Sequence, residues 1–552
     1  MKASRLTPIV FSLFSMAFCL VNALAKPSHQ STPPNAAKLK WWRSARFGMF
    51  IHWGPVSLTG NEISWSRGVQ TPIKVYDNLY KRFDPVEFNP NQWVSIAKAA
   101  GMKYIVLTTK HHDGFCLWDT KQTDYNIMHS PYHKDIVRML SDACKRQHIP
   151  FGAYYSVCDW HNPDFLYTSP GGSVMNPHPN MDAYTEYMKK QLKELITSYG
   201  PLLLVWFDNP EGFTAERGRD VVDYVRSLQP DIIVNNRCAT PGDYDTPEQR
   251  IGGFQMDRPW ETCMTLCQQW SWKPGDKMKS LRECIGILAR CAGGDGNLLL
   301  NVGPEPSGEI EPRQVERLKE IGAWLKRNGA SIYNTRGGPY MPCSDYACTR
   351  RGDDIFLHIL DWKGDMLSLP PLPAKIMHAS LLEGGEVRIT QNAEGVSISV
   401  PERYRDPNDT VVRLRLDRDA MSVSPIPPPM NSVIATASNV FQNDPNYGPE
   451  MAFDGDMSTR WATDSGVKHA WLELDLRKEK TVRSVEIHEA YPGRVRKFEI
   501  QYRNGDQWVT ILKGDGIGAN YRKDFPAVTA RYFRLNILDA TDGPTIWEMD
   551  FR

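Results

Sequence analysis

A parallel (β/α)8-like barrel followed by two all-β units is the fold class this sequence predicts, on three observations. From Trp41 to about Tyr333, short apolar runs alternate with amphipathic segments of helical period. Polar and aromatic side chains gather after nearly every apolar run, whereas an open doubly wound sheet concentrates its site at one switch point. Beyond Tyr333 the helical pattern stops and short alternating segments take over.

The chain has 552 residues, too many for a single core. It opens with Lys2 and Arg5, an apolar stretch from Pro8 to Val21, and Ala23, Leu24 and Ala25. That pattern predicts a secretory signal over residues 1–25; Ser12, Ser15 and Cys19 break the stretch, which is short for a membrane anchor. Removing it takes two of the 65 basic residues and none of the 64 acidic ones, so the mature net charge is −1. Such a balance argues against nucleic acid as a partner. No later run approaches a transmembrane span, so the mature protein is expected to be exported, either periplasmic or secreted, with no membrane span.

Six strands are predicted at 47–53, 104–110, 151–156, 202–208, 231–236 and 297–302, with helices at 91–100, 134–147, 181–198, 218–228, 278–291 and 311–328. The barrel is assigned to residues 36–335. Alternating segments such as 355–361 and 396–400 predict a β-sandwich over 336–421, and the prolines of 422–433 predict a stiff linker. A last all-β domain over 434–552 has strands predicted at 470–476, 482–488, 497–502, 509–512 and 532–537.

Ten cysteines remain after Cys19 is removed, scattered through an apolar chain as buried thiols would be. Cys263 and Cys267 have a spacing compatible with metal, but no His-rich partner follows them. An oxidising compartment permits disulfides, and Cys343 with Cys348 is the expected pair.

The run Leu202-Leu203-Leu204-Val205-Trp206-Phe207-Asp208 delivers one carboxylate to the end of a buried strand. Barrel catalytic groups sit at such ends, which makes Asp208 a candidate nucleophile; taken alone, a strand-end Asp is more often a turn residue. The other strand ends bring His52, His111, His112, Tyr155, Trp206 and Arg237 toward one pocket. Imidazoles, a phenol and a guanidinium supply the directional hydrogen bonds a ring of hydroxyls demands. Trp65, Trp118 and Trp206 can offer apolar faces to a sugar's C–H surface. A metal on His111 and His112 is the competing use, although neighbouring strand residues face opposite ways unless a loop bends them, and no carboxylate pair stands at ligand spacing.

A retaining glycosidase also needs a second carboxyl group. Candidates lie in Asp243-Tyr244-Asp245-Thr246-Pro247-Glu248-Gln249 and in Trp260-Glu261-Thr262-Cys263, both read as loops.

These residues resemble glycoside hydrolase family 29, the α-L-fucosidases, from about Lys40 to Tyr333. The resemblance rests on Arg46-Phe47-Gly48-Met49-Phe50-Ile51-His52-Trp53-Gly54, on Thr109-Lys110-His111-His112-Asp113-Gly114-Phe115-Cys116-Leu117-Trp118, on Val205-Trp206-Phe207-Asp208, and on Gly296-Asn297-Leu298-Leu299-Leu300-Asn301-Val302-Gly303-Pro304. It implies a barrel followed by a β-sandwich and hydrolysis with retention, by Asp208 as nucleophile. It also implies a fucose subsite lined by His52, His111, His112, Tyr155, Trp206 and Arg237. For the acid/base it favours Glu248, with Glu261 the rival. One departure is that Ser64 precedes Trp65 where relatives often have an acidic residue; Glu62 lies two residues earlier.

The last domain resembles the discoidin, or factor 5/8 C-type, fold that includes family 32 carbohydrate-binding modules. Its matching residues are Ala452-Phe453-Asp454-Gly455-Asp456-Met457-Ser458-Thr459-Arg460-Trp461, Trp471-Leu472-Glu473-Leu474-Asp475-Leu476, Arg531-Tyr532-Phe533-Arg534-Leu535 and Trp547-Glu548. The resemblance implies a structural calcium ion, with Asp454, Asp456, Thr459 and Glu548 as candidate ligands; hard oxygen donors suit that ion. No cofactor is expected for catalysis. The expected partners are fucosylated oligosaccharides or glycoconjugates. Two readings compete: a lectin-like protein with an inert barrel, and a barrel glycosidase for a related sugar, since fucose differs from L-galactose only at C6.

Overall fold

The computed structural model describes residues 34–166, 176–428 and 434–552, apart from 445, 446, 455, 456 and 458. The predicted signal segment, Asp456 and the part of the linker from Pro429 to Val433 lie outside the described residues.

Seven parallel strands form the first sheet: β1 (Phe47–Ile51), β2 (Ile105–Lys110), β3 (Phe151–Ser156), β4 (Leu204–Asp208), β5 (Ile233–Val234), β6 (Glu261–Thr265) and β7 (Asn297–Val302). Their order is β5-β4-β3-β2-β1-β7-β6, so the two ends of the curled sheet are β5 and β6. Residues 243–249 fill the gap between them. Parallel bridges join Asn235 to Tyr244, Asp245 to Trp260 and Glu248 to Cys263, and the Gln249 N–H donates to the Cys263 carbonyl at 3.0 Å. This segment is an irregular eighth stave, and no helix separates it from β5.

Helices α1 (Ala36–Ala45), α2 (Ile73–Tyr76), α3 (Pro90–Ala99), α4 (Ile136–Arg146), α5 (Met181–Tyr199), α6 (Ala215–Leu228), α7 (Leu281–Gly293) and α8 (Pro312–Asn328) accompany the strands. Asn89, Asp135, Asn180, Thr214 and Ser280 cap five of these helices through side-chain oxygens, and Ser280 with Glu283 forms a capping box.

The strands are buried on both faces, as barrel strands must be, and alternate residues divide between two cores. Phe47, Met49, Ile51, Tyr155, Val205 and Phe207 pack outward against the helices. Phe50, Val106, Tyr154, Leu204, Trp206 and Cys263 fill the interior with Trp42 and Tyr244.

The strand β6 corrects the sequence reading, which took Glu261 for a loop residue. Its sequence Glu-Thr-Cys-Met-Thr has no apolar run, yet all five residues are buried because their polar groups find partners inside the barrel.

The second domain contains β8 (Arg336–Gly337), β9 (Tyr346–Arg351), β10 (Asp354–Ile359), β11 (Met366–Leu369), β12 (Ile376–Leu381), β13 (Arg388–Gln391), β14 (Val396–Ser399) and β15 (Thr410–Leu416). They form sheets of five and three strands over one shared core. The disulfide expected here is absent, since Cys343 and Cys348 are both free thiols. Cys343 precedes a turn closed by its N–H on the Tyr346 carbonyl, and extended chain then carries Cys348 away at roughly 3.3 Å per residue. The first part of the linker is tied down, because Ile426 pairs with Tyr340 and exchanges backbone hydrogen bonds with Pro339 and Met341.

The last domain carries β16 (Ile434–Ala437), β17 (Trp461–Ala462), β18 (Ala470–Glu489), β19 (Val495–Asn504), β20 (Gln507–Gly514), β21 (Tyr521–Ala540) and β22 (Thr545–Phe551) around its own core. Strand β18 joins two runs that the sequence suggested as separate; its pairing with β21 shifts register after Asp475. Among the described residues no helix is long and apolar enough to cross a membrane.

Candidate active site

The C-terminal ends of the barrel strands enclose a pocket of about 420 Å³, inside the range of roughly 300–1,000 Å³ usual for small-molecule sites. His52, Trp65, His111, His112, Trp206, Asp208, Arg237 and Glu248 all line it, as the sequence suggested. Tyr155 does not. In β3 it pairs with Phe207 and faces the helices, where its hydroxyl donates to Gln191 Oε1 at 2.7 Å. The neighbour Tyr154 pairs with Trp206, lines the pocket and donates to Asp208 Oδ2 at 2.9 Å. Strand alternation is the reason, and it was available as a signal: a residue in register with Trp206 must share its face. Trp118 is likewise outside the pocket, buried with its indole N–H on Glu194.

Asp208 and Glu248 meet at one cation. Arg237 Nη1 donates to Asp208 Oδ1 at 2.9 Å and to Glu248 Oε2 at 2.7 Å, while Nε and Nη2 are fixed by the Thr246 hydroxyl and carbonyl. Two oxygens on one nitrogen are under about 6 Å apart, a bound that admits the roughly 5–5.5 Å carboxylate separation of a retaining glycosidase and excludes the wider roughly 6.5–9.5 Å spacing of inverting ones for this oxygen pair. Burial pushes the Asp208 carboxyl up, but Arg237, His112 and the Tyr154 hydroxyl outweigh it and hold the group below the usual range. Asp208 is therefore ionised at neutral pH. Glu248 remains 41% exposed at its side chain.

Glu261, the rival for the acid, sits inside the barrel below the pocket. Its carboxyl accepts from the Tyr104 hydroxyl and from the Trp206 indole at 3.3 Å. Burial raises it to about 7 against these hydrogen bonds. It supports Trp206 and does not line the pocket.

The three histidines are uncharged, because burial drives His52 to about 3, His112 to about 4 and His111 well below its ordinary value. Partners assign the tautomers of His52 and His112. Asn301 gives its amide N–H to the Trp270 carbonyl, so its oxygen faces His52 Nδ1 at 2.7 Å and must accept from it. The Ser156 hydroxyl donates to the Cys158 carbonyl and so accepts from His112 Nδ1 at 2.7 Å. His52 and His112 consequently present bare Nε2 acceptors to the pocket. Ser64 stands 2.6 Å from His111 Nδ1 and accepts the Asp113 N–H. Ser64 thus orients a pocket histidine, while Glu62 accepts the Trp270 and Ser271 N–H groups and anchors that loop.

Trp270, against His52 at 4.7 Å, is a pocket residue the sequence reading missed, as are Phe50, Cys263, Asn209 and Pro210. Trp270 lies in an irregular loop, where no periodicity marks it.

His111, His112 and Asp208 bring one ligand atom each within 4.8 Å of one another, so this is where an ion could be held. Arg237 already occupies Asp208 with a fixed positive charge, which disfavours a cation there.

The fold and the paired carboxylates define a barrel glycoside hydrolase. The α-L-fucosidase family profile matches residues 19–330, more than half of the chain, and the chain belongs to that family. An F5/8 type C domain matches residues 434–549. Human plasma α-L-fucosidase is 31% identical over 376 residues, covering 61% of this chain and 79% of the relative. The solved α-L-fucosidase isoenzyme 1 from Paenibacillus thiaminolyticus is 33% identical with a TM-score of 0.65, covering 70% of this chain and all of that one. The fold of an α-L-fucosidase from Vibrio sp. strain EJY3 extends over 92% of this chain and 97% of its own, at 21% identity and a TM-score of 0.68.

Proposed function

We propose that this glycosidase removes terminal α-L-fucosyl residues from glycans by double displacement with retention. One observation carries the reading: Arg237 holds Asp208 and Glu248 together at the mouth of a pocket lined by uncharged imidazoles. Asp208, kept ionised, attacks C1 while Glu248 gives its proton to the departing oxygen. The C1–O bond breaks and a fucosyl ester on Asp208 forms; Glu248, now a base, takes a proton from water, which displaces Asp208. The bare Nε2 atoms of His52 and His112 accept from sugar hydroxyls. A related solved enzyme from Bacteroides thetaiotaomicron, 25% identical with a TM-score of 0.62 and covering 69% of this chain and 96% of its own, is described as a trapped covalent intermediate with 2-fluoro-fucosyl fluoride.

The same reagent tests the assignment. Incubated with the enzyme, it should label Asp208, as peptide mass spectrometry would show; a label on another residue overturns the role. Replacing Glu248 by Ala should depress hydrolysis of natural oligosaccharides far more than that of activated aryl fucosides, because an acid matters most when the departing oxygen is basic. Equal losses on both would remove Glu248 from that role.

Export rests on the residue pattern of 1–25, and secretion is checked by finding the mature chain outside the cytoplasm. For calcium, Asp454 and Thr459 stand together at 2.7 Å in the last domain and Glu548 follows Trp547 on β22. All are oxygen donors of the kind calcium takes. These three, with Asp456, would hold the ion in a structural role, and chelation should lower the melting temperature of this domain.

A further inference from the structure

Beyond the fucose pocket lies a larger cleft, about 990 Å³, whose walls come from all three domains. The barrel contributes Glu248, Arg250 and Phe254; the β-sandwich contributes Trp362; the last domain contributes Tyr447 and Trp547. Arg250 stands 5.6 Å from the Tyr447 ring, so the barrel and the last domain meet across this cleft.

Glu248 borders both cavities. The stave that carries it is pinned from behind, since the Gln249 N–H donates to the Cys263 carbonyl, the Gln249 amide contacts the Thr265 hydroxyl, and the Arg250 carbonyl accepts from Thr262. Glu248 and Arg250 are left on the cleft side. This position has a chemical consequence that rests on the reading of Glu248 as the acid. An acid must touch the oxygen that joins the fucosyl ring to its leaving group. With the ring in the inner pocket, the leaving group must pass out beside Glu248, into the cleft.

The far wall suits a saccharide. Arg460 lies 4.9 Å from the Trp547 ring and 5.4 Å from the Tyr447 ring, a guanidinium flanked by half-buried aromatic faces. Flat apolar faces beside directional N–H donors match the alternating C–H and hydroxyl surface of a sugar. We propose that this interdomain cleft is the leaving-group subsite, and that the last domain, through Tyr447 and Trp547, helps to select which fucosylated oligosaccharides are cleaved. The module is then part of the catalytic unit's specificity as well as any tether to glycan.

The test uses the full-length enzyme, 4-nitrophenyl α-L-fucoside, and fucosylated trisaccharides of defined linkage. The readout is the ratio of kcat/KM for the wild type's best trisaccharide to that for the aryl fucoside. In Tyr447→Ala and Trp547→Ala this ratio should fall roughly fivefold to tenfold, the order expected for one lost aromatic contact. Arg250→Ala, on the barrel wall and independent of the last domain's folding, should lower it in the same direction. An unchanged ratio in Tyr447→Ala and Arg250→Ala overturns the proposal, as does a wild type that hydrolyses the aryl fucoside and none of the trisaccharides. A wild type inactive on the aryl fucoside refutes instead the fucosidase reading on which the proposal rests.

Discussion

Asp208 and Tyr154 carry the sharpest consequences at the scale of single residues. Replacing Asp208 by Gly should cost several powers of ten in turnover, because the covalent step loses its nucleophile, and azide should restore part of it by occupying the vacated space. Near-normal turnover in that variant would dismiss the assignment. Tyr154→Phe removes a hydrogen bond that holds Asp208 ionised, so kcat/KM should fall about tenfold and the acid limb of its pH profile should move to higher pH. Tyr155→Phe, which removes a hydroxyl that meets Lys110 and Gln191 behind the sheet, should leave the pH profile in place. The histidines add a sign to pH stability. Their folded values lie below 6.5, so the unfolded chain binds more protons between pH 6.5 and about 3, and stability is lost as pH falls through that window. The residue types of the pocket were legible in the sequence because strand ends converge. Which of two adjacent tyrosines faces inward depended on the register between strands.

Strand β6 with the stave at 243–249 is the element least visible in the sequence and most consequential for the site. Neither is an apolar run, and each is held by bridges to partners distant in sequence. Their placement separates the two carboxylates that sequence alone left as rivals, Glu248 at the pocket and Glu261 inside the barrel. Glu261 has a measurable signature. Its folded value, about 7, lies above the ordinary carboxylate range near 4.5, so the folded state holds a proton that the unfolded chain releases. Stability from this group is therefore lost as pH rises from about 4.5 to about 7, the window in which the unfolded chain alone has ionised. Glu261→Gln removes that loss, so the melting temperature of the variant minus that of the wild type should increase across this window and then level off. A difference that stays flat with pH would show that the carboxyl is not buried as protonated acid. By contrast, α3 to α8 and β3 and β7 were readable within a few residues, since period and capping are local properties.

For the whole molecule, a core of its own makes the last domain separable in stability. The last domain's core shares no residue with that of the barrel. A chain ending at Pro428 should therefore keep a cooperative melting transition and hydrolyse a small aryl fucoside, while its retention on immobilised fucosylated glycan weakens. Loss of aryl fucoside hydrolysis in a folded truncation would mean that the last domain reaches the inner pocket. By itself, the sequence determined the barrel, the two β units after it, and Asp208 as the strand-end carboxylate, because hydrophobic period and motif spacing are written along the chain. Only the tertiary structure decided that Tyr154 rather than Tyr155 faces the pocket, that Glu248 and not Glu261 shares Arg237 with Asp208, that Cys343 and Cys348 stay apart, and that the last domain lines one wall of the cleft beside Glu248. Each of these depends on register, burial or the meeting of distant segments, which no local pattern encodes.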